Sequence, residues 1–468
     1  MRETANRRDL LRGAGAMALT SLLPMTAGCD ARDAVAQVQP APPNILFILA
    51  DDMGYADLSC YGRRDYLTPR LDGLAAGGVR LTQGYANSCT CSPTRVALIT
   101  GRYQQRLAVG LEEPINTLTQ DFRLPPGHPT LPSLLKTAGY RTALIGKWHL
   151  GLNPAAGPLD YGYDHFFGYP GGGTNYYQQP GGGTPQTPDI LFDDRAQVRR
   201  PGYLTDLLAD EAVSWIGDGQ GPFFLSLHFS APHAPWVAPR DEAAAAGWTD
   251  TFDRNRGSLA IYAEMVKSLD ENVGKVLAEL DRLGIAGETI IVFTSDNGGD
   301  RFSDMWPFTG VKGELLEGGL RVPLILRWPG RIAPGTISPQ VMTTMDFLPT
   351  LLAAAGVAPD PAFPPDGENL LPVLTGLAAP HPRRLFWRHK MADQAAVRDG
   401  EWKYLRLGGK EHLFDLSRDE RERADRKAEA PQRLTELRGA HSAWNATMLA
   451  YPPGSYSYDV KEIDADRY

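Results

Sequence analysis

Residues 42–54 read "PPNILFILADDMG", an apolar run from Ile45 to Ala50 that ends in two carboxylates, Asp51 and Asp52. A strand with one wet face alternates apolar and polar residues. An unbroken run bounded by prolines and a glycine instead predicts a strand covered on both faces, as in a parallel sheet flanked by helices. In such sheets ligands gather beyond the carboxyl ends of the strands. The reading therefore places Asp51 and Asp52 at a working edge.

The same grammar recurs along the chain. "RTALIGKWHLG" (141–151) predicts a strand ending at Lys147 and His149, preceded by a helix in "PTLPSLLKTAGY". "PFFLSLHFSAPHAPW" (222–236) predicts a buried strand running into a proline-rich loop with His233. "ETIIVFTSDNGG" (288–299) predicts another, ending at Asp296 and Asn297, and "RVPLILRWPG" a further one. Amphipathic helices are expected in "YLTDLLADEAVSWI" and, as the longest, in "SLAIYAEMVKSLDENVGKVLAELDRLG". "TPRLDGLAAGG" reads as a short helix with Thr68 as its cap, and "SPTRVALITG" as a helix stopped by Gly101. Strand and helix alternate, so the fold class is α/β with a large, mostly parallel central sheet. Beyond residue 376 short strand-like runs ("RRLFWRH", "QAAVRDG", "EWKYLRL", "EHLFDL") and a helical stretch predict a small C-terminal antiparallel sheet with a helix. The expected division is a catalytic domain over 43–375 and a C-terminal subdomain over 376–468. The Gly/Pro-rich stretch 168–188, interrupted by Tyr176 and Tyr177, is expected to form a rim of the cleft.

With 47 basic against 55 acidic residues the formal charge is −8, and no basic stripe is present, which argues against nucleic acid as a partner. Residues 6–29, "NRRDLLRGAGAMALTSLLPMTAGC", carry Arg7-Arg8, an apolar run too short to span a bilayer, and then small residues. Residues 1–28 thus resemble an export signal of the twin-arginine type, and 29–42 a linker. "TAGC" resembles a lipoprotein cleavage box with Thr26 where leucine is usual, so a lipid anchor at Cys29 stays open beside simple cleavage. The expected location is periplasmic, or membrane-anchored as a lipoprotein, with the export machinery as a partner. Losing residues 1–28 removes four arginines and two acidic residues, taking −8 to −10.

Three thiols then remain: Cys60, Cys89 and Cys91. An odd number in an exported chain calls for a special use of one of them. The C-x-C pair lacks the spacing of a zinc site, and a C-x-x-C redox motif is absent. Cys91 opens a helix, where backbone amides favour an anion. Asp51, Asp52, Asp296 and Asn297 form an all-oxygen donor set, which suits a hard divalent cation, calcium before magnesium.

"CSPTRVALITG" (91–101) resembles the C-x-P-x-R signature of the formylglycine-dependent sulfatases, members of the alkaline-phosphatase-like superfamily. "ADDMG", "GKWHLG", "APHAPW", "TSDNGG", "GVKGELLEGGLRVP" and "DFLPTLLAAAG" follow in that family's order. Thr94 stands where serine is commoner. The resemblance implies an alkaline-phosphatase-like sandwich and a sulfuric ester hydrolase. It implies that a maturation enzyme oxidises Cys91, not Cys89, to formylglycine (3-oxoalanine). The aldehyde hydrates to a diol, one hydroxyl takes the sulfuryl group, and the other expels sulfate. It also implies calcium ligation by Asp51, Asp52, Asp296, Asn297 and modified residue 91. Arg95 would hold the formylglycine, Lys147 and Lys312 would bind sulfate, His149 would orient the diol, and His233 would protonate the leaving oxygen. The expected substrate is a sulfated small molecule or oligosaccharide, with carbohydrate favoured and arylsulfatase activity alongside. With a dication the site carries about +2 inside a chain of −10, a local anion trap. Cys89 is left as a buried thiol or a partner of Cys60. His228 reads as structural, while His165, His389 and His412 are candidates to reach the pocket.

Two rivals share the fold: a formylglycine-dependent phosphonate or phosphodiester hydrolase, and a two-metal phosphatase. The second expects Asp-His where this chain has Asp296-Asn297. A catalytically dead glycan-binding homologue is a third alternative.

Overall fold

Strand β1 (Asn44–Asp51) is buried along its whole length and sits at the centre of the molecule, between two parallel neighbours. The structure, a computed structural model, describes residues 42–116, 122–151, 156–177, 191–245 and 256–460. The export signal, the linker and the second half of the 168–188 stretch lie outside the described residues.

The remaining strands of the large sheet are β2 (Val79–Leu81), β3 (Arg141–Lys147), β4 (His165–Tyr169), β5 (Leu191–Asp193), β6 (Ala196–Val198), β7 (Phe223–Pro232), β8 (Thr289–Ser295), β9 (Leu324–Arg327) and β10 (Thr336–Ser338). Their order is β10-β2-β9-β8-β1-β7-β3-β4-β5-β6. The inner five, β8-β1-β7-β3-β4, are parallel, as expected. β9 runs antiparallel to β8, and β5 antiparallel to β4, so the sheet is mixed towards its edges.

The unbroken apolar run of β1 has the predicted cause. Leu46, Ile48 and Ala50 point into one core, shared with helices α1 (Pro69–Ala76), α4 (Leu204–Gly217) and α5 (Leu259–Arg282). Ile45, Phe47 and Leu49 point into a second, with α2 (Cys91–Thr100), α3 (Leu131–Thr137) and α6 (Phe347–Ala354). At about 1.5–3 kcal/mol per fully buried large apolar side chain, each such strand is held strongly from both sides. Thr68 precedes α1 but its hydroxyl does not cap the helix. The cap comes from Asp270 on α5, whose carboxylate accepts from the amides of Arg70 (3.1 Å) and Leu71 (2.8 Å).

The C-terminal sheet is antiparallel: β11 (Arg384–His389), β12 (Gln394–Asp399), β13 (Trp402–Leu407) and β14 (Lys410–Asp415), with helix α7 (Pro431–Asn445). Its inner face buries Leu385, Trp387, Ala396, Leu405 and Phe414 against Tyr85, Ala97, Leu315 and Leu320 of the main body. Lys403 of β13, fully buried, joins this contact by ion pairs to Glu317 (2.9 Å) and Glu422 (2.8 Å). The small sheet thereby braces the loop that carries Lys312.

Candidate active site

Parallel register brings the strand ends together. Ala50 pairs with Ser295, Asp51 with Pro232, and Gly146 with His228, so the residues that follow converge on one edge. Asp52 turns over this edge with φ of 62°. Cys91 arrives from the other side as the first residue of α2, every residue of which is buried. The N-terminus of α2 is fastened on both flanks. Thr94 Oγ1 accepts from the amide of Ser88 (3.0 Å) and donates to its carbonyl (3.1 Å), and Ser92 Oγ accepts from Ile115 N (2.8 Å). The threonine that departs from the commoner serine thus keeps a working hydroxyl.

Ten residues singled out above are gathered here: Asp51, Asp52, Cys91, Arg95, Lys147, His149, His233, Asp296, Asn297 and Lys312, none more than 4% exposed. Arg95 donates from Nε and Nη2 to Asp296 Oδ2 (3.0 and 2.8 Å) and from Nη1 to the carbonyl of Lys147 (3.1 Å). The Lys147 ammonium lies 2.6 Å from Asp51 Oδ2, and that of Lys312 lies 2.6 Å from Asp52 Oδ2. Asp52 Oδ2 is also 3.5 Å from His233 Nε2. His233 Nδ1 donates to the carbonyl of Ala234 (2.5 Å), which fixes its proton there, and His149 Nε2 donates to the carbonyl of Ile115 (2.8 Å). That leaves His149 Nδ1 as a buried lone pair with no hydrogen-bond partner. Gly172 lies against this imidazole: a Cβ at residue 172 would stand 2.8 Å from the ring.

The acceptors are arranged for a cation. Asn297 Nδ2 donates to Asp52 Oδ1 (2.8 Å) and to the carbonyl of Gly298 (2.9 Å), so its Oδ1 faces the other way, buried and without a partner. Asp51 Oδ1 is likewise buried without a hydrogen bond. Ligand atoms of Asp51, Cys91 and Asp296, and of Asp51, Asp52 and His233, lie within 4.8 Å of one another. Buried acceptors without a hydrogen bond are costly, and the oxygens of Asp51, Asp52, Asp296 and Asn297 are the donor chemistry of a hard divalent ion.

Electrostatics agree. Burial and the neighbouring Asp51 carboxylate push the Asp296 carboxyl up to about 6 despite Arg95. For Asp52 burial acts upward too, but Lys312, His233 and Lys147 outweigh it and hold the carboxyl well below the usual range. Burial lowers His149, helped by Lys147, and takes His233 down to about 3, so both imidazoles are neutral at pH 7. Burial raises the Cys91 thiol in spite of the nearby lysines. An unmodified Cys91 is therefore a protonated thiol, a poor nucleophile.

Other expectations are displaced. Cys60, Cys89 and Cys91 are all unbridged, so Cys60 and Cys89 are not a disulfide. Tyr176 and Tyr177 are buried, not rim residues; the Tyr176 hydroxyl donates to the carbonyl of His233 (2.9 Å). His165 pairs with Asp194 (3.0 Å) and Glu211 (3.2 Å), and His412 with Asp425 (3.0 Å), engagements outside the gathered site. His389 is buried beside Glu113 (3.0 Å). His228 Nδ1 lies 3.3 Å from Arg95 Nη1 and 3.2 Å from the carbonyl of Lys147, a supporting place. The carbonyl of Ile115, the close approach of Gly172 and the ring of Tyr458 escaped the sequence reading, because none carries a chemical signature.

A buried candidate cation site framed by Lys147, Lys312 and Arg95, at the carboxyl edge of this sheet, goes with an alkaline-phosphatase-like fold. The family model described as Sulfatase matches residues 43–357, and that described as N-sulphoglucosamine sulphohydrolase, C-terminal, matches 312–435. The chain belongs to the sulfatase family and is a sulfuric ester hydrolase. It is 33% identical over 444 residues to the steryl-sulfatase of Mus musculus, covering 77% of this chain and 69% of that one. To the N-acetylgalactosamine-6-sulfatase of Canis lupus familiaris it is 37% identical over 374 residues, covering 72% and 67%. Among solved structures it resembles Ps i-CgsB, with 30% identity, TM-score 0.80, and 88% and 94% of the two chains covered. A structure of that protein in complex with k-i-k-neocarrahexaose matches equally well, with TM-score 0.80 and 29% identity, covering 89% of this chain and 95% of that one.

Proposed function

We propose that the chain hydrolyses the sulfate ester of a carbohydrate, with formylglycine made from Cys91 and a calcium ion held by Asp51, Asp52, Asp296 and Asn297. The observation that carries this is the pair of orphaned acceptors, Asp51 Oδ1 and Asn297 Oδ1, beside a Cys91 whose thiol is kept protonated. When present, the aldehyde would supply a hydrated nucleophile and the cation would supply charge for the sulfate oxygens. The chain's own residues do the rest. Lys147 and Lys312 bring two ammonium groups to the edge and bind sulfate, and Arg95 braces the floor through Asp296. His149, its Nε2 proton committed to Ile115, offers Nδ1 as an acceptor that orients a hydroxyl at position 91. His233, its Nδ1 proton committed to Ala234, turns Nε2 towards Asp52, takes up a proton there once sulfate charge occupies the site, and passes it to the departing oxygen. Carbohydrate as substrate is supported by the likeness to a protein solved with neocarrahexaose.

The test is mass spectrometry of the Cys91 peptide from a host with a maturation enzyme. Conversion of thiol to aldehyde appears as a loss of about 18 Da. Cys91→Ala should abolish turnover while Cys89→Ala retains most of it; equal loss with folding intact would sink the assignment. Phosphonate and phosphodiester substrates should be turned over less well than sulfate esters. From Arg7-Arg8 we further infer twin-arginine export to the periplasm. Replacing both arginines with lysine should hold the protein in the cytoplasm, and the mass of the mature N-terminus would show whether Cys29 is acylated.

A further inference from the structure

We propose that residues 451–460 form a strap walling the substrate pocket, and that Tyr458 determines specificity by packing against the ring that bears the sulfate ester. The inference rests on the reading of Lys312 as a sulfate-binding lysine. Three sets of contacts carry it.

The strap is held to the segment beside the active site. Glu113 N donates to the carbonyl of Tyr456 (3.0 Å), and Tyr458 N donates to the carbonyl of Glu113 (2.6 Å). The Glu113 carboxylate, 1% exposed, accepts from the hydroxyls of Tyr451 (2.5 Å) and Ser457 (3.0 Å). His389 Nε2 adds a contact to the carbonyl of Tyr458 at 3.0 Å. Pro452, Pro453 and Gly454 are exposed, so the burial is concentrated where the strap meets Glu113. A tail with no task at the cleft does not require a buried carboxylate and histidine to hold it.

The strap delivers Tyr458 to Lys312. The ring centroid lies 5.9 Å from the Lys312 ammonium, within the range in which a cation is attracted to an aromatic face. Residue 313 is glycine with φ of 88°, and a Cβ there would stand 2.7 Å from Tyr458 Cδ1. Lys312 is only 4% exposed, whereas Tyr458 is half-buried.

The anchor also reaches the opposite wall. Two residues after Glu113, the carbonyl of Ile115 holds His149 Nε2 at 2.8 Å. One short segment therefore ties the strap, through Tyr458, to Lys312 and, through Ile115, to His149. A sulfate seated at Lys312 would carry its sugar or aryl ring past Tyr458, whose flat apolar surface suits such a ring.

The experiment compares a ligand with a ring to one without. Nitrophenyl sulfate supplies KM and kcat, inorganic sulfate supplies an inhibition constant, and each variant receives a melting curve. Tyr458→Ala should raise KM for nitrophenyl sulfate about 10-fold, the effect of losing one aromatic contact. The inhibition constant of inorganic sulfate should stay within about 2-fold, because that ion has no ring to pack. Tyr458→Phe should restore KM, and Leu377→Ala, at a residue 85% exposed and outside the strap, should leave it unchanged. An unchanged KM in Tyr458→Ala, or equal rises in KM and in the sulfate constant, overturns the strap as a substrate wall. A matured wild type that neither hydrolyses nitrophenyl sulfate nor binds sulfate overturns the sulfate-site reading, and the strap with it.

Discussion

Replacing His233 with alanine should split sulfate esters by their leaving groups. The imidazole is 2% exposed, with Nε2 3.5 Å from Asp52 Oδ2 and Nδ1 donating to the Ala234 carbonyl. A carbonyl can only accept, so Nδ1 keeps the proton of the neutral ring, and Nε2, on the side of the site, is the atom that must take up a second proton before it can give one to the departing oxygen. General acid catalysis contributes about 10²–10⁴-fold, or roughly 2.7–5.5 kcal/mol of barrier. A sugar alkoxide needs that proton and a nitrophenolate does not. Removing the ring leaves the backbone in place, because Tyr176 donates to the His233 carbonyl (2.9 Å) and His233 N donates to the carbonyl of Ser230 (2.9 Å). The expected result is a fall of about 10²–10⁴ in kcat/KM for a sugar or alkyl sulfate and less than about 10-fold for nitrophenyl sulfate. Lys312→Ala is the control. It removes a buried ammonium common to every ester, at a cost of about 2–5 kcal/mol, and should slow both. Steady-state kinetics on the two ester classes, with a melting curve for each variant, decide the matter. Equal losses on both esters in His233→Ala, with unchanged melting, would remove His233 from the acid role.

Lys403→Met should cost about 3–5 kcal/mol in urea unfolding, because it strands two buried carboxylates, Glu317 and Glu422. Burial already pushes Glu422 up to about 7, so the loss should shrink at pH 5, where that carboxyl takes a proton; a loss below about 1 kcal/mol at pH 8 would refute the pairing. For His165 burial acts downward, but Glu211 and Asp194 raise the imidazole above its ordinary 6.5. Its stabilisation is complete below 6.5 and lost as pH rises through the folded value, so the gap between wild type and His165→Gln should be widest below pH 6.5 and narrow as pH rises above it. Calcium at about 100 times its dissociation constant should stabilise the protein by about 2.7 kcal/mol, and chelation should reverse this. Asp296→Asn should abolish the calcium-dependent shift in melting; two zinc ions per chain would instead favour a phosphatase-type centre.

The central strands were legible because burial on both faces leaves no room for polar alternation: β1 and β8 announce themselves by continuous apolar runs, with Asp51-Asp52 and Asp296-Asn297 at or just past their carboxyl ends. The edges were not legible. β5, β6 and β10 are three residues each, too short for a period to register, and nothing in the four residues of β9 signals that they run antiparallel to β8. Charged site residues could be named because carboxylates and ammonium groups rarely end buried strands without a use. Their supports could not be named, since Ile115 acts through a carbonyl and Tyr458 reaches Lys312 from 146 positions along the chain. The cap of α1 failed for a related reason: Thr68 was the local candidate, but Asp270 from a distant helix supplies the bond.

The complete enclosure of α2 bears on when the protein can be matured. Cys91 is 2% exposed and opens a helix whose ten residues are all buried, held by Thr94 and Ser92 to the neighbouring loops. An enzyme acting on this thiol would have to reach it, and once the helix has docked that would mean dismantling the middle of the molecule. If Cys91 is converted to formylglycine as proposed, that conversion would have to precede closure of the helix. Under the proposed conversion, synthesis, oxidation and folding would form an ordered sequence, and a chain that folded first would be locked out of activity by its own stability.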